Sequence, residues 1–205
     1  MILARPFLHY MAKELTKRLA KSACQIKNPE PLREAIEKII VDEVALEEAI
    51  NAEARELLNQ YSDYMRQNEI SYQDMFNRVK RNILEERKVI SATSRDSKTK
   101  ISREKITELS HKIGQQLPRI QGLRVLKPWN DVRLEIAREL TNILTMEEQV
   151  DKRAQRMITS QKRDIIEGGE EWQTLHRRFY EQEMARLGVD LRMPETPESG
   201  SGARH

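Results

Sequence analysis

The chain's 205 residues suffice for one or two small domains with real cores; Leu, Ala, Glu, Lys, Arg, Gln and Met dominate, with only seven glycines and seven prolines, which favours an all-α protein. A formal net charge of +3 is too small to diagnose a nucleic-acid binder. Cys24 is the single cysteine, which excludes an internal disulfide and suits a reducing compartment. Neither a signal peptide nor a window of ~20 apolar residues is present, so the expected setting is cytoplasmic with no membrane partner.

Pro6 suits a first helical turn, and Leu8, Met11, Leu15 and Leu19 follow at helical spacing, predicting a helix that ends near Ala23. The run Lys27-Asn28-Pro29-Glu30-Pro31 breaks it and launches a long helix over residues 32–64, with Asn28 or Glu30 near the cap. Its seam is Leu32, Ile36, Ile39, Leu46, Ile50, Leu57, Tyr61 and Tyr64. Ser71 with Asp74 reads as a capping box before a third helix, whose core face is Tyr72, Phe76, Val79 and Ile83.

Residues 91–101 carry Ser, Thr and charge and read as a linker. Ser102 then caps a helix with Ile106, Leu109, Ile113 and Leu117; Pro118 and Gly122 punctuate a connection in which Leu123, Val125 and Leu126 pack back in extended form. Asn130 is the expected cap of a second long helix, with Trp129 placed as half of a hydrophobic staple. Its seam runs Val132, Ile136, Leu140, Ile143, Met146, Val150, Met157 and Ile165, and Gly168-Gly169 is expected to end it. Trp172, Leu175, Phe179, Met184 and Leu187 mark a last helix that stops at Gly188, and residues 190–205 read as a disordered tail.

An offset of one hundred aligns Arg33 with Arg133, Glu47-Glu48 with Glu147-Glu148, Ala54 with Ala154, Tyr72 with Trp172 and Arg78 with Arg178. Caps, breaks and aromatic anchors align with it. The expected architecture is therefore two similar three-helix units in tandem, each a short, a long and a short helix: residues 1–90 as the first, 91–101 as linker and 102–189 as the second.

The run Leu46-Glu47-Glu48-Ala49-Ile50-Asn51-Ala52-Glu53-Ala54-Arg55-Glu56-Leu57-Leu58, its echo from Met146 to Ala154, and Gly168-Gly169-Glu170-Glu171-Trp172 through Arg178-Phe179-Tyr180-Glu181 carry a resemblance. They resemble the bacterial domain-of-unknown-function family numbered five hundred and seven. This sequence departs from that pattern at Gly169, where Ser or Thr is expected, and at Asn51, where the echo has Asp151. The resemblance implies a bacterial, helical, cytosolic protein, and brings no established activity, cofactor or catalytic residue.

The reactive side chains form no recognisable constellation. Glu108 and His111 have the spacing used in di-iron bundles, but His9 and His176 lack a glutamate three residues before them. Adjacent helix residues diverge by ~100°, so Glu47-Glu48 and Glu147-Glu148 read as solvated faces rather than paired acid–base groups. Cys24 reads as a free structural thiol. No catalytic, cofactor or metal residue is expected.

Cations mixed with rings do suggest nucleic-acid contacts at Arg78, Lys80, Arg81, Lys152, Arg153, Arg156, Lys162, Arg163, Arg177 and Arg178. Helical spacing nevertheless assigns the rings to the core. The leading reading is a non-enzymatic interaction module, binding an unidentified protein or a second copy of itself through the acidic outer face of the long helix. Nucleic-acid binding through the basic faces is the alternative.

Overall fold

The computed structural model describes residues 3–93, 99–161 and 165–191. It is all-α apart from one two-stranded ribbon. The chain gathers into two compact units, Met1–Gln149 and Val150–His205.

Helix α1, Arg5–Ser22, carries Pro6 in its first turn and buries Phe7, Leu8, Met11, Ala12, Leu15, Thr16 and Leu19. A three-residue strand β1, Cys24–Ile26, follows. Helix α2, Glu30–Asn59, is about 45 Å long at 1.5 Å per residue, and its entry is tied by Asn28 Oδ1 accepting from Glu30 N at 3.1 Å. It ends five residues short of the expected boundary. The backbone turns at Gln60 and Tyr61 and restarts as the short α3, Ser62–Gln67. The buried stripe of α2 is Leu32, Ile36, Ile40, Val44, Glu47, Ile50, Ala54 and Leu58, so Ile40, Val44 and Leu58 replace the expected Ile39, Leu46 and Leu57. Both stripes keep helical spacing; the observed one steps by four from Leu32 through Ile36 and Ile40 to Val44, and so parts from the expected seam after Ile36.

Helix α4, Tyr72–Glu86, begins with Ser71 Oγ accepting from Asp74 N. It packs on α2 through Ile83 and Leu84 against Ile50 and Ala54, with Phe76, Val79 and Val89 half-buried around them. Tyr72 is half-exposed, contrary to the core position expected for it, because it lies beyond the end of that cluster. The segment expected to be a linker is fastened where it is described: Ser102 N donates to Ala92 O at 2.6 Å, Ser102 Oγ to Ser91 O at 2.8 Å, and Ala92 and Ile101 are buried.

Helix α5, Arg103–Gln116, is capped by Ser102 and leads through a 3₁₀ turn, Leu117–Arg119, into strand β2, Leu123–Val125. Strand β2 pairs antiparallel with β1, setting Cys24 opposite Val125, Gln25 opposite Arg124 and Ile26 opposite Leu123. Helix α6, Trp129–Thr159, begins one residue before its expected cap. Pro128 O accepts from Asp131 N and Val132 N, so Asn130 lies inside the first turn, where its Oδ1 meets Arg133. The staple expected of Trp129 gives way to a different contact, with the indole laid against Gly114 of α5.

The burial of α1 recurs in order at a spacing of 98 residues, in Lys105, Ile106, Leu109, Ser110, Ile113, Gly114 and Leu117. That of α2 recurs at a spacing of one hundred, in Val132, Ile136, Leu140, Leu144, Glu147, Val150, Ala154 and Ile158.

In the second unit, helix α7, Glu170–Arg186, follows Gly168 and Gly169, which launch it rather than end α6. Gly168 has φ +81°, and its carbonyl accepts from Gln173 Nε2. Met184, Val150 and Ala154 are buried in this unit, along with Glu183. Leu187 is exposed, and Val189 is the buried residue that closes the helix end.

Candidate functional site

Two glutamates expected on solvated faces lie inside the fold. Glu47 is 1% exposed and Glu147 is 0% exposed. Glu47 occupies the buried stripe of α2, three residues after Val44 and three before Ile50. Its carboxylate lies 2.5 Å from Lys80 Nζ of α4 and accepts from the backbone N of Ala92 at 3.0 Å. One carboxylate thus ties α2 to α4 and to the segment that precedes α5. Glu147 lies 2.5 Å from Lys100 Nζ. A buried carboxylate held by an ammonium and a backbone N–H, as Glu47 is, keeps its charge compensated and acts as a structural anchor; Glu147 is compensated by Lys100. Adjacent Glu pairs do diverge as helix geometry requires; the outcome is that one member of each points inward.

A second charged cluster joins α2 to α5. Lys105, nearly fully buried, lies 2.5 Å from Glu43 and 2.9 Å from Glu108, while Lys112 lies 2.6 Å from Glu108 and also reaches Glu43. Burial alone would raise the Glu43 carboxyl, but hydrogen bonds from Lys105 and Lys112 outweigh it and hold the group below the ordinary carboxylate range. Glu108 is therefore occupied by lysines, and its neighbour His111 is exposed. On the other side of the first unit, burial would likewise raise Glu135 and Glu139. Lys127 and Ser22 bring the first below its ordinary value, and Arg18 and Asn142 the second. Burial pushes the Cys24 thiol up, with Glu135 adding to the effect, so the thiolate needed for nucleophilic work is disfavoured.

The second unit holds a histidine arrangement with the outline of chemistry. His176 is stacked between Trp172, at 4.8 Å between ring centroids, and Tyr180, at 6.0 Å, along one face of α7. Its Nε2 lies 3.2 Å from Asp151 Oδ1, and Gln155 Nε2 donates to the other Asp151 oxygen at 2.7 Å. A carboxylate beside an imidazole is two thirds of a catalytic triad, here on a ring that also stacks with Trp172 and Tyr180. The four-residue steps of Trp172, His176 and Tyr180 were visible in the sequence; the Asp151 partner on another helix was not.

The basic positions divide. Arg78 and Arg81 are exposed and, with Asp74 and Asn77, line a shallow depression of about 300 Å³. Lys80 turns inward to Glu47. Arg153 lies 3.8 Å from the buried Glu183, which Arg186 also holds. Lys152, Arg156, Arg177 and Arg178 are exposed, while Lys162 and Arg163 lie outside the described residues. Among the described residues no group of three or more His, Cys, Asp and Glu is placed to hold a metal ion, and no helix is long and apolar enough to cross a membrane.

A family model described as a protein of unknown function (DUF507) matches residues 1–189. The chain belongs to the DUF507 family. The match spans every described element of this DUF507 protein, and Glu47, Lys80, Glu147 and His176 all lie within it. A comparison with curated proteins finds no match.

Proposed function

We propose that this DUF507 protein is a non-enzymatic protein-interaction module. The observation that carries the reading is the exposure of Leu57 in the last turn of α2 and of Tyr61 and Tyr64 in the turn and short helix α3 that follow. Leu57, Tyr61 and Tyr64 are 38%, 58% and 56% exposed, although their spacing places them on the seam of the long helix. Large apolar and tyrosyl side chains exposed within one short stretch of chain are of the kind that protein interfaces use as anchors. The charged clusters support the same reading. Glu43, Glu135 and Glu139 are held ionised by internal cations and hydrogen bonds, the opposite of the near-neutral tuning a general acid or base needs.

The rest of the setting follows on this reading. The two halves, residues 1–90 and 102–189, are copies of one unit, supported by the recurring burial of α1 in α5 and of α2 in α6. The location is the bacterial cytoplasm, supported by the single buried Cys24.

The test is capture from native lysate with and without nuclease, beside light scattering of the purified chain. A protein retained after nuclease, or a dimer, that is lost in Tyr61→Ser/Tyr64→Ser is the expected result. A strict monomer that retains no protein overturns it. Nucleic acid retained through Arg78 and Arg81 would instead support the second reading, which rests on the exposure of those two side chains on α4.

A further inference from the structure

A groove of about 650 Å³ opens in the first unit between α1 and the start of α2, with Lys13, Thr16, Lys17, Lys21, Pro29 and Arg33 among its lining. That is a volume suited to a small organic ligand. Thr16 forms its floor: the residue is 4% exposed, and its Oγ1 has no hydrogen-bond partner. A buried hydroxyl left so is costly, and here it belongs to a side chain that lines an open space. Lys13, Lys17 and Lys21 succeed one another at four-residue steps, on one side of α1. Among the described residues Lys17 is shared with Glu14 at 3.8 Å, while Lys13 and Lys21 make no ion pair. The walls also hold His9 and Glu30; Arg33 binds Glu30, and His9 lies 3.1 Å from Glu37.

What such a groove accepts is displayed elsewhere in the same unit. On the spacing that relates α1 to α5, Gly114 stands where Thr16 stands, and on the spacing that relates α2 to α6, Trp129 stands where Pro29 stands. There the indole lies on the bare helix backbone: a Cβ built on Gly114 would be 2.5 Å from Trp129 Cη2 and 2.8 Å from Cζ3. The first groove has neither the ring nor the glycine. Proline leaves the ring's place open, and threonine raises the floor and adds a hydroxyl suited to a ring heteroatom.

We propose that the α1–α2 groove binds a small aromatic anion: a flat bicyclic heterocycle laid over Thr16, carrying a phosphate or carboxylate that faces Lys13, Lys17 and Lys21. The site is independent of the Leu57–Tyr61–Tyr64 surface, and either can exist without the other.

The experiment is an amide-shift titration of the full chain at low salt with four probes. AMP and indole-3-acetate carry ring and charge, adenosine carries the ring alone, and inorganic phosphate the charge alone. AMP, indole-3-acetate or both should saturate, shifting amides of α1 and the first turn of α2, and which of them binds tells phosphate from carboxylate. Adenosine and phosphate should each bind roughly tenfold or more weakly than the ring-bearing anion. Lys13→Glu/Lys21→Glu, two exposed changes, should weaken binding by a similar factor, and Pro29→Trp should block it by filling the slot from within. Failure of both anions to bind overturns the proposal, as does binding unchanged in Lys13→Glu/Lys21→Glu. Phosphate binding as tightly as AMP overturns the ring slot and leaves only a basic patch.

Discussion

Lys80 Nζ lies 2.5 Å from the Oε1 of Glu47, a carboxylate in the middle of the apolar stripe of α2. This pair decides how α4 seats on the long helix, and it also removes one cation from the exposed face of α4.

Glu47→Leu should be strongly destabilising, by about 3–5 kcal/mol, because it strands the Lys80 ammonium and the Ala92 N–H together. Lys80→Met should cost a similar amount by stranding the carboxylate. The double variant Glu47→Leu/Lys80→Met should cost less than either single change. Urea unfolding of the four chains checks this, and additive losses would show that the pair is uncoupled.

The Glu43 carboxyl is depressed in the folded state, so its contribution to stability is fully present above the ordinary carboxylate value of roughly 4.3 and is lost as pH falls through the lower folded value. Glu43→Gln should therefore lower Tm at pH 7, and the difference from the parent chain should shrink as pH drops below about 4. Calorimetric scans between neutral and acid pH measure it. A difference independent of pH would mean that shape, not charge, holds Lys105 and Lys112.

Lys88 and Gly188 close α4 and α7 in the same way, with φ of +54° and +79°. Val89 N donates to Leu84 O at 2.9 Å, and Val189 N to Met184 O at 3.0 Å. The left-handed conformation costs a lysine about 1 kcal/mol that it does not cost a glycine. Lys88→Gly should raise stability by up to about that amount, and Gly188→Ala should lower it by a similar amount. Chemical denaturation of both variants gives the two signs, and the same sign for both would contradict the prediction.

Gly114→Ala should destabilise the first unit by about 1–3 kcal/mol, since the new methyl meets the Trp129 ring. Trp129→Ala in that background should recover part of the loss. Near-ultraviolet circular dichroism should report the displaced indole, and a spectrum unchanged by Gly114→Ala would place the ring elsewhere.

The helices were legible because their apolar residues repeat at three and four, and because Ser71 and Ser102 cap them through the expected backbone donors. Helix ends were less so. Tyr61 and Tyr64 continue the spacing of the seam although the backbone has already turned, and nothing local distinguishes a seam residue from an exposed tyrosine. Strand β2 was expected as an extended segment, but β1 was missed, since three residues are too few to show alternation. The inward turn of Glu47 did have a signal: it falls in the 3.6 period with Ile40, Val44 and Ile50, which chemistry-based reading of an acidic pair overrode. The Asp151–His176 pair had none, because the partners lie on different helices.

The ribbon that sets Gln25 opposite Arg124 has a consequence for synthesis. Strand β1 emerges from the ribosome early, yet its only partner in the ribbon is made about one hundred residues later, and Lys105, which neutralises Glu43, is nearly as late. Helices α1, α2 and α4 can assemble locally on the nascent chain, but the first unit cannot close until β2 has left the exit tunnel. The interval in between exposes an unpaired strand edge and an uncompensated carboxylate, so this fold is completed by its late-made segments rather than built outward from its beginning.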